Sequence, residues 1–231
     1  MNEITCILPV AGIGKRLQPH TFTMPKVLLP VAGKPILGYL LNYIKSLGIY
    51  RIVFIIGHLG DKIVDYVENF HPDIEGIFVK QEEFIGLGYS IFLAAEYVKG
   101  PVFINLGDTL IDADIKQLIR DFLSWIAVKE VKDPSRFGVA ITDGEGIITK
   151  VIEKPLEIIS HQALCGVYFF NNSRLLFDCL NELITSGKKT RNEFQLTDAI
   201  EMMINKGEKI LAVPAKVWLD CGKVETLLQT N

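Results

Sequence analysis

Strand-length apolar runs alternating with helix-length segments set the first limit on what this chain can fold into. ITCILPV (4–10), RIVFIIG (51–57), EGIFVK (75–80) and PVFINL (101–106) are short and almost wholly apolar, the pattern of strands buried on both faces. Helical periodicity fills the gaps: PILGYLLNYIKSLGI (35–49), with Pro at its start and Gly48 near its end, then residues 60–70, then roughly 87–98. Beyond the fourth strand, Asp112 or Asp114 is placed to cap a helix running to about residue 123. Such alternation implies a mostly parallel, doubly wound sheet with helices on both faces.

The second half changes character. WIAVKEV, GVAIT, GIITKVIE and ALCGVYFF follow one another closely, with the turn signal DGEG (143–146) between two of them. Helices return near 173–185 and 195–206, followed by KILAVPA and VWLD. This reads as a small antiparallel excursion attached to the same sheet. No low-complexity tract, linker or repeat interrupts residues 1–231, so one domain is expected, with a change of role near residue 110.

Charge narrows the ligand. With 49% apolar residues and a formal net charge of −3, the chain can build a large core and lacks the basic excess of nucleic-acid or membrane-surface binders. Residues 1–35 nevertheless hold Lys15, Arg16, Lys26 and Lys34 against the single acid Glu3, which suggests an anionic small molecule. Cys6, Cys165, Cys179 and Cys221 form no C-x-x-C pair, so neither a zinc site nor a disulfide framework is expected. His20, His58, His71 and His161 lack metal-ligand spacing and read as surface or loop residues, with His20 nearest the basic loop. The N-terminus does not read as a signal peptide, and no apolar run reaches ~18 residues; a cytoplasmic protein without membrane segments is the expectation.

The stretch AGIGKRLQPHTFTMPK (11–26) directly follows the first strand. Two phosphate-loop patterns fail on it. Gly12 and Gly14 are followed by Leu17 where the dinucleotide fingerprint needs Gly, and neither Gly14-Lys15 nor Gly33-Lys34 has the P-loop's upstream Gly or following Ser/Thr. What fits is a longer, gapless string from Gly12 to Pro35, G-x-G-x-R-L-x-P-x-T-x-x-x-P-K-x-L-L-P-V-A-G-K-P. Glycine backbone amides with an Arg fork can hold the charge of a phosphate-rich ligand. Prolines at this density fix one backbone path.

That string resembles the signature of the sugar-1-phosphate nucleotidylyltransferases, the glucose-1-phosphate thymidylyl- and uridylyltransferases in particular. The resemblance extends along the chain through Gln81 with Gly86-Leu87-Gly88, NLGDTL (105–110), RFGVA (136–140), IEKP (152–155), ALCGVYFF (163–170), EFQLTDAI (193–200) and WLDCG (218–222). It implies a three-layer Rossmann-like α/β/α fold, with residues 1–110 as the nucleotide half and 111–231 as the sugar half. Arg16 and Lys26 would then be the catalytic cations. Leu8, Ala11, Gly12, Gly14, Lys15, Gln81 and Gly86 would bind the nucleotide. Gly138, Glu153, Lys154, Leu164 and Gly166 would bind the sugar phosphate, and Asp108 and Asp220 would hold Mg²⁺. Thr197 and Asp198 suit a structural role as well as a functional one, and Gly222 would form a tight turn.

The implied reaction joins a nucleoside triphosphate to a sugar 1-phosphate, releasing pyrophosphate. Ala11 stands where many thymidylyltransferases have Gly, and Lys15 where Thr is frequent. The base is therefore left open, with dTTP and UTP the favoured triphosphates and glucose 1-phosphate the favoured sugar. The implied partners are these small molecules, and the resemblance leaves room for a homo-oligomer. Two rival readings remain: a non-catalytic sugar-nucleotide sensor, and a metal-dependent glycosyltransferase of related fold. A sensor need not keep the acids, and a glycosyltransferase should lack the Gly12–Pro35 string.

Overall fold

The computed structural model of the protein describes residues 3–221. The chain starts with β1 (Thr5–Pro9), passes through a loop of short 3-10 turns and the small hairpin β2 (Pro30–Val31) and β3 (Lys34–Pro35), and enters α1 (Ile36–Ser46). It continues through β4 (Arg51–Ile56), α2 (Gly60–Phe70), β5 (Glu75–Lys80), α3 (Leu87–Phe92), β6 (Val102–Asn105), β7 (Thr109–Asp112) and α4 (Lys116–Arg120). The second half comprises β8 (Trp125–Glu130), β9 (Gly138–Thr142), β10 (Ile148–Glu153), β11 (Gln162–Phe170), α5 (Ser173–Ser186), α6 (Leu196–Asn205), β12 (Leu211–Pro214) and β13 (Val217–Asp220).

Nine strands form one sheet in the order β10-β9-β11-β6-β1-β4-β5, with β8 paired to β11 and to β12. β6, β1, β4 and β5 are mutually parallel, and β11 runs antiparallel to β6. The antiparallel strands therefore extend the same sheet. β1 shows why both faces must be covered. Cys6 and Leu8 point into the core beneath α1, while Ile7 points into the core beneath α5 and α6, and all three are fully buried. On α1, Leu37, Leu40, Leu41 and Ile44 follow an i, i+3, i+4, i+7 spacing and are fully buried. Each such side chain contributes roughly 1.5–3 kcal/mol by leaving water. The fold is thus the expected three-layer α/β/α arrangement.

Two elements depart from the periodicity. The helix expected over 87–98 ends at Phe92 and resumes as a 3-10 turn at Ala95–Tyr97. The helix expected behind Asp112 or Asp114 is displaced: Thr109–Asp112 is a strand, and α4 starts only at Lys116, without a side-chain cap. The reason is tertiary. β7 alternates Thr109 and Ile111 inward, and it pairs antiparallel with β13, Asp220 opposite Thr109 and Val217 opposite Asp112. That distant partner outweighs the local capping signal. His71 also departs from expectation, because it ends α2 in a loop yet is only 6% exposed.

Candidate active site

The parallel strands β1 and β6 end side by side, and the loops that leave them face one cleft, the usual ligand position in an open α/β sheet. Two adjoining cavities make up this cleft. The first, about 320 Å³, is lined by Ala11, Gly12, Lys26, Gln81, Phe84, Gly86 and Ser90 together with Gly107 and Asp108. The second, about 530 Å³, is lined by Arg16, Arg136, Gly138, Glu153, Lys154, Leu164, Gly166, Tyr168, Thr197, Trp218 and Asp220. Leu87, Leu106, Asp108 and Glu193 belong to both.

The loop after β1 is held from inside. Leu17 is buried, and the Thr21 hydroxyl donates to the Gly14 carbonyl at 3.0 Å. Val27 and Leu28 are buried as well, which anchors the backbone of Lys26. The Lys26 ammonium then reaches across to donate to Asp108 Oδ2, forming an ion pair with the two side chains 15% and 32% exposed. Gly86 is the residue that lets this wall of the first cavity close against the Phe194 backbone. Its φ is 129°, and a Cβ there would lie 2.4 Å from the Phe194 carbonyl oxygen. Gln81 is buried, and its amide Nε2 donates to the Glu83 carbonyl at 2.8 Å, so the side chain is oriented within the wall.

On the other side, β9 and β10 set Gly138 opposite Glu153. Glu153 accepts from the Thr197 hydroxyl at 3.1 Å and pairs with Lys154 Nζ at 3.2 Å. Lys154 carries a φ of 41°, a left-handed backbone that costs a side-chain-bearing residue energy. Its N–H donates to the Phe137 carbonyl at 3.1 Å, and its carbonyl accepts from Arg191 Nη2 at 2.7 Å. The Phe137 and Trp218 rings meet edge to face, with centroids 4.9 Å apart. Burial pushes the Cys165 thiol up to about 12, so this cavity-lining cysteine stays protonated at neutral pH and is no nucleophile. Burial also raises the Tyr168 hydroxyl, with Glu153 adding to the effect, so it remains a neutral phenol.

Asp108 and Asp220 arrive from different parts of the chain. Asp220 lies opposite Thr109 in the β7–β13 pair, and the Cys221 N–H donates to the Asp108 carbonyl at 2.8 Å. Both acids line the second cavity. They are hard oxygen donors, the type Mg²⁺ prefers, and Mg²⁺ is ordinarily held by one or two carboxylates with substrate phosphates and water completing its shell. Among the described residues no three acidic, His or Cys side chains form a ready-made metal cage. Two carboxylates are the kind of donor set that suits a hard cation whose other positions are filled by phosphate and water.

Most residues singled out from the sequence meet at this cleft, but not all. Leu8 is fully buried in the core, and neither it, Gly14 nor Lys15 lines either cavity. Gly14 serves the turn instead, with φ at 68°. His20 is exposed and also lies outside both linings. Arg16 lines the second cavity, as Asp220 does, and not the first. Thr197 is tied to Glu153, whereas Asp198 Oδ2 is a buried oxygen without a hydrogen-bond partner. Gly222 lies outside the described residues. The sequence reading missed Arg136, Arg191, Glu193 and Phe84. Arg136 and Glu193 stand inside motifs already noted, so their polar character was a usable signal. Arg191 had none, because its partner is the Lys154 carbonyl, 37 residues away.

A cleft of this composition at the carboxyl edge of a three-layer sheet defines a Rossmann-like α/β protein suited to phosphorylated ligands. The chain belongs to the nucleotidyl transferase family, whose model matches residues 5–231. It is 35% identical over 234 residues to the low-salt glycan biosynthesis nucleotidyltransferase Agl11 of Haloferax volcanii, an alignment covering 97% of this chain and 64% of that protein. It is 35% identical over 227 residues to the bifunctional protein GlmU of Methanocaldococcus jannaschii, covering 97% of this chain and 53% of that one. A glucose-1-phosphate thymidylyltransferase of Streptomyces antibioticus is 33% identical over 232 residues, covering 95% and 63%. The chain thus spans between about half and two thirds of the length of these relatives. Among solved structures, a UDP-glucose pyrophosphorylase complexed with UDP-glucose superposes with a TM-score of 0.87 at 25% identity, covering 100% of this chain and 97% of that one. No helix among the described residues is long and apolar enough to cross a membrane.

Proposed function

We propose that this chain is a sugar-1-phosphate nucleotidylyltransferase that joins UTP or dTTP to a hexose 1-phosphate, glucose 1-phosphate being the favoured sugar. The observation that carries the reading is that one carboxylate, Asp108, borders two adjoining cavities of different chemistry. One holds the Gly-rich loop, Lys26 and Gln81, and the other holds Glu153, Lys154 and Asp220. The names of the thymidylyltransferase and of the UDP-glucose pyrophosphorylase support the same reaction class and the two pyrimidine bases.

In this reading a phosphate oxygen of the sugar 1-phosphate attacks the α-phosphorus in line. A new P–O bond forms as the bond to the β-phosphate oxygen breaks, and pyrophosphate leaves with that electron pair. Such chemistry asks for positioning and charge neutralisation more than for acid–base groups. Lys26 neutralises the α-phosphate region, and Arg16 meets the charge that builds on the departing pyrophosphate. Lys154 holds the nucleophilic phosphate, and Glu153, oriented by Thr197, accepts hydrogen bonds from sugar hydroxyls. Asp108 and Asp220 would hold Mg²⁺, which would supply neutralisation of phosphate charge when bound. Residues 1–110 thereby serve the nucleotide and 111–231 the sugar.

The test is pyrophosphate release over a matrix of UTP, dTTP, CTP, GTP and ATP against several hexose 1-phosphates, with Mg²⁺ present. Turnover with a pyrimidine triphosphate and glucose 1-phosphate is expected. Absence of turnover with every pair, while nucleotide binding persists, overturns the reading in favour of a sensor.

A further inference from the structure

We propose that Lys26 and a divalent cation exclude one another at Asp108, so that the lysine bars the metal until a triphosphate draws the ammonium away. The inference rests on the reading above that Asp108 is a metal ligand. Its basis is the ion pair between Lys26 Nζ and Asp108 Oδ2.

Three features make this pair a barrier. Both partners are largely withdrawn from water, at 15% and 32% exposure, so solvent screens the contact less than it would a surface pair. The lysine backbone is anchored, because Val27 and Leu28 are buried and the Leu29 N–H donates to the Lys26 carbonyl at 3.1 Å. The main chain at Asp108 is anchored too, by the Cys221 N–H on its carbonyl and the buried Gly107 and Thr109 on either side. The ammonium therefore rests on one of the two carboxylate oxygens that a metal could use, and sets its positive charge beside the other. A doubly charged cation arriving alone would meet a like charge and would have to shed tightly held water. A triphosphate reverses the balance, since its oxygens offer the ammonium a more strongly charged partner in the same cavity. Metal affinity and Lys26 position are then coupled, and the coupling is reciprocal.

Mn²⁺ binding to the full, nucleotide-free chain tests this, read from the loss of the aqueous Mn²⁺ paramagnetic resonance signal. Lys26→Met removes the charge and is expected to tighten Mn²⁺ at least 10-fold over the unaltered protein. Lys26→Gln provides a second neutral variant, with folding of each checked by circular dichroism. Lys26→Arg keeps the charge and should bind Mn²⁺ as weakly as the unaltered protein. Adding Asp108→Asn to Lys26→Met should abolish the gain. Equal Mn²⁺ affinity in the neutral variants and the unaltered protein overturns the proposal, as does a gain that survives loss of Asp108. The two readings fail separately. Tight Mn²⁺ in Lys26→Met with no pyrophosphate release by the unaltered protein sustains the exclusion and removes the reaction. Turnover with no change in Mn²⁺ affinity does the reverse.

Discussion

Arg191 donates through Nη2 to the carbonyl oxygen of Lys154 at 2.7 Å, and Lys154 holds a left-handed backbone at that point. A conformation of this kind persists only where its surroundings over-determine it. Here the Phe137 carbonyl holds the Lys154 N–H and the Arg191 guanidinium holds its carbonyl. Arg191 is thus a positioning residue for the lysine assigned to the sugar phosphate. Because the arginine is exposed, its bond is worth less than a buried charged one, on the order of 1 kcal/mol. Arg191→Ala should raise the KM for sugar 1-phosphate roughly 5- to 10-fold while leaving that for nucleotide nearly unchanged. Steady-state kinetics with each substrate varied in turn makes the check, and equal rises in both constants would contradict the assignment.

Arg16 lines the second cavity with Asp108 and Asp220. If it meets charge that develops only as pyrophosphate departs, Arg16→Ala should lower kcat by the equivalent of ~2–4 kcal/mol, the loss typical of a single oxyanion donor. Single-turnover rates at saturating substrates would show it. Undiminished pyrophosphate release by this variant would remove Arg16 from the chemistry.

Two glycines of the cleft should respond in opposite ways. A Cβ on Gly12 would meet nothing within 4 Å, so Gly12→Ala should leave stability within about 0.5 kcal/mol and weaken triphosphate binding by obstructing the ligand alone. A Cβ on Gly86 would press on the Phe194 backbone at 2.4 Å, in a region of φ that disfavours alanine, so Gly86→Ala should cost about 2 kcal/mol or more of folding stability. Thermal melts and nucleotide titrations on the pair separate the effects. A melt of Gly12→Ala that drops as far as that of Gly86→Ala would show that the loop is packed, not open.

His71 gives the fold a pH dependence of definite sign. Burial lowers its affinity for a proton below the ordinary value of 6.5, the positive charges of Lys45 and Lys34 lower it further, and Asp73 partly opposes them. The folded protein therefore binds this proton less readily than the unfolded chain does. The contribution to stability is complete above 6.5 and is lost as pH falls from there through the lower folded value. His71→Gln should melt with a flatter pH dependence than the unaltered protein between about pH 7 and 5. Parallel melting curves for the two proteins across that range would exclude the effect.

Local chemistry made much of this molecule readable in advance. The apolar runs at 4–10, 51–57, 75–80 and 101–106 appear as β1, β4, β5 and β6, because strands buried on both faces must be apolar along their whole length. The Gly12–Pro35 string marked one wall of the cleft, since its prolines and glycines specify a backbone path within a single segment. Long-range pairing was less accessible. Thr109–Asp112 is a strand only because β13 lies against it, and nothing within those four residues announces that partner. The left-handed turn at Lys154 was equally hidden, because it is held by Phe137 and Arg191, the second of them remote in sequence. Gly14 and Lys15 stand apart from the other motif residues, one in a left-handed turn and the other exposed, outside both cavity linings.

The antiparallel seam between β6 and β11 has a consequence for how the two cavities are spaced. Its ladder runs from Val102 opposite Phe170 to Asn105 opposite Val167, and continues as the Leu106 N–H donates to the Gly166 carbonyl at 2.9 Å. Leu106 and Gly166 both line the second cavity, and Leu106 lines the first as well. Gly166, at the second cavity, thus stands one hydrogen-bonded strand spacing, ~4.8 Å, from Leu106, which both cavities share. In the proposed reaction that spacing works as a ruler: loops at the rim can lengthen or change composition to suit a different hexose, while the strand seam between the two cavities keeps its gauge.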